Sequence, residues 1–428
     1  MKTLFKNGLV WSGSGFAPAD ILVSDGVTAA VGPSISGSAA DRCFDLHGLS
    51  VFPGFADVHV HLREPGFSYK ETIRTGSMAC AAGGYTAVCA MPNLSPAPDS
   101  PENLAPEEEI IRRDAVIRVL PYASITVGRR GEGDVVDMER LKGRVCGFSD
   151  DGTGVVGADT MREAMRRCHD AGSLISAHCE DLSLIPRGAP IHDGAWAKAH
   201  GFEGIPSESE WGPIVRDLAL AKETRCRYHV CHISTKESAA AIARAKAEGT
   251  PVTCETAPHY LLLCDDDLRD EGRFKMNPPL RSREDRDALV KAFISGTVDC
   301  LATDHAPHSA EEKSRGLKGS AMGIVGIETA FPLIYTHFVL TGLMPLKDLL
   351  DRICFAPRRI FSIDGGIRPG EHFEMCAFDL NEEYAIDPAG FYSMGRATPF
   401  GGWRVRGRWH MTCCGENVIT PRGKEPLK

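Results

Sequence analysis

Short apolar runs alternate with longer amphipathic stretches between about residues 51 and 305. The runs recur at intervals of roughly 30 residues, which is the length of a βα unit. This alternation predicts an α/β fold with a parallel sheet. Eight runs are present, the number needed to close a (β/α)8 barrel of the TIM type. They cover residues 55–61, 85–91, 117–124, 144–149, 173–178, 228–232, 251–255 and 298–302.

The stretches between the runs carry signals of amphipathic helices. Segments 234–237 and 282–285 have the Ser-x-x-Glu/Asp pattern of a capping box at a helix start. One stretch repeats its apolar residues at the i, i+3, i+4, i+7 spacing of a single helix face. These residues are Met161, Ala164, Met165 and Cys168.

The two ends of the chain have a different pattern. Residues 1–50 and 365–428 contain short β-like runs broken by Gly and Pro, at 4–11, 20–23 and 403–405 among others. We expect both ends to combine into one small β-sandwich domain. Residues 51–364 would then form the barrel domain.

Composition and charge narrow the class of protein. The formal net charge of -9 comes from interspersed acidic and basic residues, which favours neither a nucleic-acid nor a membrane surface. The first residues lack the apolar segment of a signal peptide, and no run has the length of a membrane span. We therefore expect a cytoplasmic protein. Its 15 cysteines are mostly scattered singly, as is typical of reduced, buried residues.

The first strand run ends in a pair of histidines. His59 and His61 stand two residues apart, so both imidazoles face the same way on a strand. Two adjacent imidazole nitrogens suit zinc or a similar metal. The alternative is a pair of half-buried histidines on a sheet face, and the other strand ends decide between the two.

Four other strand runs are followed by His or Asp. In a parallel barrel the carboxyl ends of the strands meet at one mouth, whatever their separation in sequence. The joint occurrence of His-x-His, Asp, His, His and Asp in chain order predicts one shared metal site there. The candidate ligands beyond the first pair are Asp150, Asp151, His178, His229, His232 and Asp304.

These residues resemble the amidohydrolase superfamily, and the flanking segments resemble dihydroorotases of the bacterial class I type. The resemblance spans nearly the whole chain. It implies zinc-dependent, reversible cyclisation of N-carbamoyl-L-aspartate to L-dihydroorotate with loss of water, a step of de novo pyrimidine (UMP) biosynthesis. The most specific segments are 57–66, 70–72, 91–93, 148–152, 232–235, 277–281, 304–308 and 323–329.

The resemblance also implies a role for each metal-site residue. His59 and His61 would hold one zinc, and His178 and His232 would hold a second. Asp151 would bridge the two metals, where many relatives use a carboxylated lysine. The sequence leaves open whether one or both zinc positions are filled.

Two residues near these ligands are ambiguous. Asp150 competes with Asp151 for the bridging position, because adjacent strand residues face opposite ways. The resemblance favours Asp151. His229 lies three residues before His232 and therefore on the opposite face of a regular strand, so we expect it to pack or to support the ligands.

Amide hydrolysis needs a nucleophile, an electrophile and a proton carrier. Zinc lowers the pKa of bound water from 15.7 to about 7 and polarises a carbonyl group. A carboxylate near the metals can carry the proton from the attacking hydroxide to the leaving nitrogen. Asp304, after the eighth strand run, is the predicted shuttle and also a candidate metal ligand, and the two roles are compatible.

Substrate recognition is expected from side chains around the metals. Arg63 would share the face of His59 and His61 if the strand continues, and its guanidinium suits bidentate contact with a carboxylate. Taken alone, Arg63 could equally be a surface residue, and Asn93 a turn residue after Met91 and Pro92. The resemblance implies substrate contacts from Arg63, Asn93, Asn277 and His308, and from the backbone near Met322 and Gly323.

Two segments depart from the family pattern. Met322 stands where relatives usually have Pro-Phe before Gly323. Met394 and Ala397 stand where Lys and Asn are common, in the small domain, where we expect little effect on catalysis. Loop 309–322 is rich in glycine and charge, and it could be a lid over substrate or a passive surface loop.

Two other functions are considered. An allantoinase or hydantoinase would share the barrel and metals but usually has the carboxylated lysine and lacks the pair of Arg63 and Asn93. A non-catalytic relative would act as a scaffold for aspartate carbamoyltransferase, but such proteins typically lose metal ligands, which this chain retains. The resemblance implies a homodimer and makes aspartate carbamoyltransferase a candidate partner.

Overall fold

A computed structural model describes residues 1–37, 40–421 and 423–425. The strands, in chain order, are β1 (Lys2–Trp11), β2 (Phe16–Ser24), β3 (Val27–Gly32), β4 (Arg42–Asp45), β5 (Ser50–Pro53), β6 (Phe55–Val60), β7 (Tyr85–Ala90), β8 (Arg118–Pro121), β9 (Leu174–Ala177), β10 (Ile191–His192), β11 (Gly204–Ile205), β12 (Arg227–Val230), β13 (Val252–Thr256), β14 (Cys300–Leu301), β15 (Glu374–Ala385), β16 (Arg404–Cys414), β17 (Asn417–Thr420) and β18 (Gly423–Glu425).

The helices are α1 (Ile73–Ala82), α2 (Pro101–Asp114), α3 (Met138–Leu141), α4 (Ala158–Asp170), α5 (Ala195–His200), α6 (Glu208–Thr224), α7 (Lys236–Ala247), α8 (Pro258–Leu262), α9 (Arg283–Ser295), α10 (Ala310–Lys313), α11 (Gly316–Gly319), α12 (Ala330–Ile334), α13 (Leu346–Leu350) and α14 (Ala356–Phe361). Short π-helical turns extend α12 and α13. Within the described ranges, no helix is both long and apolar enough to cross a membrane.

Parallel pairing links the central strands into a ring. β6, β7 and β8 pair in that order, as do β9, β12, β13 and β14. Phe148 joins these two groups through parallel bridges to Ala123 and Ile175. A parallel bridge between Val60 and His305 closes the ring. The carboxyl ends of these strands therefore meet at one side, which we call the mouth.

Seven of the eight predicted strand runs contain a strand, and the run at 144–149 does not. That segment is nevertheless hydrogen-bonded on both sides. Phe148 N donates to Leu174 O at 3.0 Å, and Ser149 N donates to Ala123 O at 2.8 Å. It spans the gap in the ring over too few residues to form an extended ladder.

The helix predictions are confirmed with one correction. α9 begins with a capping box between Ser282 and Asp285, and the four predicted core residues of α4 are buried. The predicted cap at Ser234 is wrong, because Thr235 caps α7 and the Ser234 hydroxyl instead donates to the buried carboxylate of Glu210. A neighbouring acceptor thus moves the start of the helix by one residue.

Strands from both chain ends form one nine-stranded sheet. Its order is β18-β17-β16-β15-β5-β1-β2-β3, with β4 pairing β1. β15 and β5 join the two ends by antiparallel pairing, with Met375 opposite Pro53. The sheet therefore continues past residue 50, to Pro53.

Phenylalanines pack this sheet against the ring. The Phe331 ring lies 5.1 Å from Phe55, 5.6 Å from Phe52 and 4.7 Å from Phe378, measured between centroids. Phe55 is the first residue of β6, so the aromatic contact lies at the amino end of the ring strands. The mouth is left free for the candidate site.

Candidate metal centre

His59 and His61 lie at the mouth, at the end of β6. Their ring centroids are 5.3 Å apart and both side chains are buried. His59 Nδ1 lies 2.7 Å from Glu255 Oε1, which leaves Nε2 on the side of Asp151, 3.4 Å from Oδ1. His61 Nδ1 lies 3.0 Å from Asn93 Oδ1. Both imidazoles are therefore held with one nitrogen directed into the mouth.

Two sets of three ligand-type side chains share Asp151. One set is His59, His61 and Asp151, and the other is Asp151, His178 and His232. Within each set the candidate ligand atoms lie within 4.8 Å of one another, and all five residues are buried. The structure thus brings together the five residues that the sequence suggested as ligands of two metals.

The donor set fits a metal ion. His59 Nε2 is buried and has no hydrogen-bond partner among the residues that the structure describes. A buried nitrogen without a partner costs free energy, and a metal ion would remove that cost. Imidazole nitrogens together with a carboxylate are typical zinc ligands.

The two candidate aspartates have different partners. Asp150 Oδ1 accepts hydrogen bonds from the backbone N–H of Ile125 at 2.8 Å and of Thr126 at 3.2 Å, and so holds the loop after β8. Asp151 faces the histidines instead. Burial opposes ionisation of Asp151, but His59 and its neighbours hold the pKa of this carboxyl well below its usual range.

Asp304 lies beside the first histidine pair. Its Oδ1 is 3.0 Å from His61 Nε2 and 3.6 Å from His59 Nε2. Burial opposes ionisation, yet these histidines lower the pKa of Asp304 to about 2. The carboxylate is therefore ionised at neutral pH and can accept a proton.

Three residues of the mouth have positive φ angles without being glycine. The values are 62° for Arg63, 32° for His232 and 47° for Asp304. This left-handed region costs free energy for side chains with a Cβ, and such strain is typical of functional sites. β6 ends at Val60, so the condition for a shared strand face is not met, and Arg63 reaches the mouth through this turn instead.

Glu255, in β13, is a residue of the site that was not predicted from the sequence. Its Oε1 accepts a hydrogen bond from His232 N at 3.2 Å, in addition to its contact with His59, and its Oε2 lies 3.1 Å from His229 Nε2. Its position at the end of the seventh strand run is the signal in the sequence that could have identified it.

His229 supports this carboxylate from behind. Its other ring nitrogen, Nδ1, lies 2.7 Å from Thr253 Oγ1. β12 ends at Val230, before His232, so the two histidines do not occupy the opposite faces of one regular strand. His229 thus contacts Glu255 inside the ring of strands, and Glu255 in turn contacts His59.

A cavity of about 220 Å³ opens beside these residues. This is below the roughly 300–1,000 Å³ of pockets for drug-sized ligands, so it suits a small metabolite. All six residues that the sequence analysis assigned to substrate line it, namely Arg63, Asn93, Asn277, His308, Met322 and Gly323.

Arg63 brings a buried positive charge to this cavity. Its Nε donates to Pro307 O at 3.2 Å, and its Nη2 lies 3.3 Å from His308 Nε2. It forms no ion pair with a carboxylate in the part of the chain that the structure describes. A buried guanidinium without a counter-ion favours an anionic ligand.

The two asparagines also contact residues of the metal cluster. Asn93 Nδ2 donates to Asp151 Oδ2 at 3.3 Å, and its Oδ1 faces His61. Asn277 Nδ2 donates to Glu180 Oε1 at 2.9 Å, and the other oxygen of Glu180 lies 3.3 Å from His178 Nε2. Both amides thus link the cavity wall to the candidate ligands.

Comparison with known proteins identifies the family. A family model described as Dihydro-orotase-like matches residues 48–238. A protein of Geobacillus sp. (strain WCH70) named Dihydroorotase is 45% identical, covering 99% of this chain and 100% of its own. Another protein named Dihydroorotase, from Bacillus caldolyticus, is 46% identical and also covers 99% of this chain and 100% of its own. The chain belongs to the dihydroorotase family. This confirms the resemblance found in the sequence.

Solved structures similar to this member of the dihydroorotase family include amidohydrolases with other names. The L-Hydantoinase (Dihydropyrimidinase) from Arthrobacter aurescens has a TM-score of 0.88 and 27% identity, covering 100% of this chain and 97% of its own. A dihydropyrimidinase from Brevibacillus agri NCHU1002 has a TM-score of 0.86 at 22% identity, covering 98% and 95%. The latter shows the fold alone. Both support the mixed α/β fold class.

One departure from the dihydroorotase-family pattern has an unexpected location. The segment with Met394 and Ala397 connects β15 to β16 in the chain but lies against the ring. Val325 N donates to Ala397 O at 2.9 Å. A Cβ on Gly395 would come within 2.9 Å of Pro307 Cβ, and Pro307 O accepts the hydrogen bond of Arg63. The segment is therefore part of the surroundings of the cavity.

Proposed function

We propose that the chain is a dihydroorotase that interconverts N-carbamoyl-L-aspartate and L-dihydroorotate plus water. The observation that carries this proposal is the buried guanidinium of Arg63, which forms no ion pair with a carboxylate among the described residues and lies in the same small cavity as a donor set for two metals. A substrate with a carboxylate next to a cyclic amide fits both features. Membership of the dihydroorotase family supports the same activity.

We propose zinc as the metal, at one or two positions per chain. His59 and His61 would hold one ion, and His178 and His232 the other. Asp151 would bridge them, because it belongs to both sets while Asp150 is engaged by the loop after β8. Bound zinc would supply Lewis acidity and lower the pKa of a bound water to about 7.

Asp304 is proposed as the proton shuttle. In the hydrolytic direction a water molecule adds to the ring amide carbonyl, and Asp304 accepts the proton that the water gives up. The bond between this carbonyl carbon and the ring nitrogen then breaks, and Asp304 delivers the proton to the departing nitrogen. In the cyclising direction the same carboxylate takes the proton from nitrogen and returns it as water leaves.

Substrate orientation is assigned to the cavity wall. Arg63 would bind the carboxylate that remains outside the ring, with Asn93 beside it. Asn277 and His308 would contact the substrate from the other side, and the backbone of Met322 and Gly323 would face the ring. Their common position in the lining of one cavity supports this arrangement.

We further propose that the closed ring is a (β/α)8 barrel within residues 51–364, of which residues 51–53 belong to β5 of the other sheet, and that residues 1–50 and 365–428 form a small β-sandwich. The closed circuit of parallel pairings and the sheet shared by both chain ends support this division. We also propose a cytoplasmic homodimer that can associate with aspartate carbamoyltransferase. Light scattering with and without that enzyme tests both associations.

The function is tested by measuring zinc per chain together with turnover of L-dihydroorotate, allantoin and hydantoin. We expect about one to two zinc ions per chain and preferential turnover of L-dihydroorotate. Turnover confined to hydantoin or allantoin would contradict the assignment. Little zinc with no turnover would instead favour a non-catalytic scaffold.

A further inference from the structure

Lys313 is a lysine that is buried close to the substrate cavity. It is the last residue of α10 and is only 9% exposed. Its ammonium donates three hydrogen bonds to backbone carbonyls, to Lys275 O at 3.0 Å, Ala321 O at 2.8 Å and Gly323 O at 2.7 Å. The three protons of the ammonium are thus matched by three acceptors.

These carbonyls belong to two walls of the cavity. Lys275 lies two residues before Asn277, which lines one side. Ala321 and Gly323 flank Met322, which lines another. The walls also meet directly, because Gly323 N donates to Lys275 O at 3.1 Å. The ammonium therefore bridges the two segments where they approach each other.

The second wall is tied to His308 as well. His308 Nε2 lies 2.6 Å from Met322 O, and the same nitrogen lies 3.3 Å from Arg63. A shift of the backbone at Met322 would therefore reach His308 and the guanidinium. The position of the wall that Lys313 holds bears directly on the groups assigned to substrate.

Keeping a charge at this place has a cost. Burial, with a smaller contribution from Lys275, lowers the pKa of Lys313 to about 7, while Glu312 opposes the shift. Lys313 forms no ion pair with a carboxylate within the described ranges. An aliphatic side chain would fill the space without desolvating a charge, so the distinctive contribution of the ammonium is to hold three carbonyls in place.

We propose that Lys313 is a positioning residue that fixes the Met322–Gly323 wall against the Asn277 wall and thereby sets the affinity for the substrate ring. The inference rests on the proposed function. It also makes the end of loop 309–322 an anchored wall of the cavity.

Lys313→Met removes the ammonium and keeps much of the side-chain volume. We expect the KM for L-dihydroorotate to rise by about tenfold or more, with kcat changing by less than about threefold and with unchanged zinc content. Lys318→Met is the matched control, because Lys318 is an exposed lysine of the same loop. A Lys313→Met enzyme with a lower Tm but an unchanged KM would overturn the proposal.

Two further measurements keep the proposal testable. If Lys313→Met does not fold, Lys313→Gln replaces it, since its amide retains two N–H donors. Lys313→Gln still loses the charge and one hydrogen bond, so its KM should rise about threefold or more, and a KM within about twofold of the wild-type value would overturn the proposal. In the Lys313 variant, backbone hydrogen exchange of segments 275–277 and 321–323 should be faster than in Lys318→Met. Equal exchange rates in the two variants would also overturn the proposal. Absence of L-dihydroorotate turnover by the wild-type chain would contradict only the proposed function, because hydrogen exchange does not depend on turnover.

Discussion

Glu255 and His59 are joined by a contact of 2.7 Å between Oε1 and Nδ1, and neither residue is exposed to solvent. Burial opposes ionisation of Glu255, but His59 and His229 hold its pKa below the usual range. An ionised carboxylate at this distance favours the proton on Nδ1 and leaves the lone pair of Nε2 free. The same oxygen accepts from His232 N, so one carboxylate orients a residue of each candidate ligand set.

Replacing Glu255 by glutamine should weaken metal binding. The amide removes the negative charge and no longer favours the Nδ1–H form of His59. Loss of such a partner typically lowers metal affinity about 10- to 100-fold. Competition with a chelator measures this affinity. Glu109→Gln, on the exposed side of α2, is the matched control, and equal zinc affinity in the two variants would contradict the role of Glu255.

Asp304→Asn should keep metal but lose most activity in both directions. Asp304 belongs to neither ligand set that shares Asp151, so the remaining donors are unchanged. An amide cannot accept the proton, and loss of general acid–base catalysis typically costs about 10²- to 10⁴-fold in rate. Initial rates of cyclisation and hydrolysis at equal zinc content measure the effect. Near-normal rates would show that Asp304 is not the shuttle.

Arg63→Lys should impair recognition of the carboxylate more than the chemical step. Lysine keeps the charge but cannot both donate to Pro307 O and present a fork of two N–H groups. Charge-assisted hydrogen bonds are worth about 1.5–3 kcal/mol, so we expect the KM for L-dihydroorotate to rise about 10- to 100-fold. Dihydrouracil, which lacks the carboxylate, provides the control substrate. A parallel loss with both substrates would mean that Arg63 does not bind the carboxylate.

The metal cluster could be predicted because strand ends converge in a parallel ring. The five candidate ligands come from four separate segments, yet each follows or ends an apolar run. They are His59 and His61 from the first run, Asp151, His178 and His232. Glu255 also stands at the end of an apolar run, and the same convergence of strand ends brings it to the cluster. His229 was expected to pack or to support the ligands from the opposite face of a strand, and it contacts Glu255, but β12 ends at Val230 and so provides no such strand face for His232.

Other parts of the site depend on contacts that no local pattern records. Arg63 reaches the cavity through a left-handed turn, and nothing in its neighbours requires that turn. In the sequence, Lys313 is one of several charged residues in a loop, and no local pattern indicates that its ammonium has three backbone acceptors. The segment around Gly395 comes from the end of the chain that was expected to be remote from catalysis. Tertiary packing alone brings these residues to the mouth.

Gly395→Ala should disturb the cavity from outside. Its Cβ would come within 2.7 Å of Val325 Cγ1 and 2.9 Å of Pro307 Cβ, which is closer than packed atoms allow. Overpacking typically costs about 1–3 kcal/mol. We expect a lower Tm and, because Pro307 O holds Arg63, a higher KM for L-dihydroorotate. Gly390 lies in the same connection between β15 and β16, and a Cβ added there would have nothing within 4 Å. Gly390→Ala should therefore change neither the Tm nor the KM. An unchanged KM in Gly395→Ala would show that this segment does not influence substrate binding.

Glu328 should make stability depend on pH. Its carboxyl oxygens accept hydrogen bonds from Tyr392 N at 3.0 Å and Ser393 N at 3.1 Å, and burial raises its pKa to about 8 although these donors oppose the shift. In the unfolded chain a glutamate titrates near about 4.3. Between these values the folded protein keeps a proton that the unfolded chain has lost, so this stabilisation is complete below about pH 4.3 and is lost as the pH rises through about 8.

The Glu328→Gln variant isolates this effect, because its side chain stays neutral at every pH. We expect the free energy of unfolding of the wild type, relative to Glu328→Gln, to fall as the pH rises from about 5 to about 9. Urea unfolding at several pH values measures the difference. Glu109→Gln, at an exposed glutamate, is the control. The difference in free energy of unfolding between the wild type and this variant should change little over the same pH range. A difference that is independent of pH would mean that Glu328 is ionised throughout, and that its two backbone donors outweigh the cost of burial.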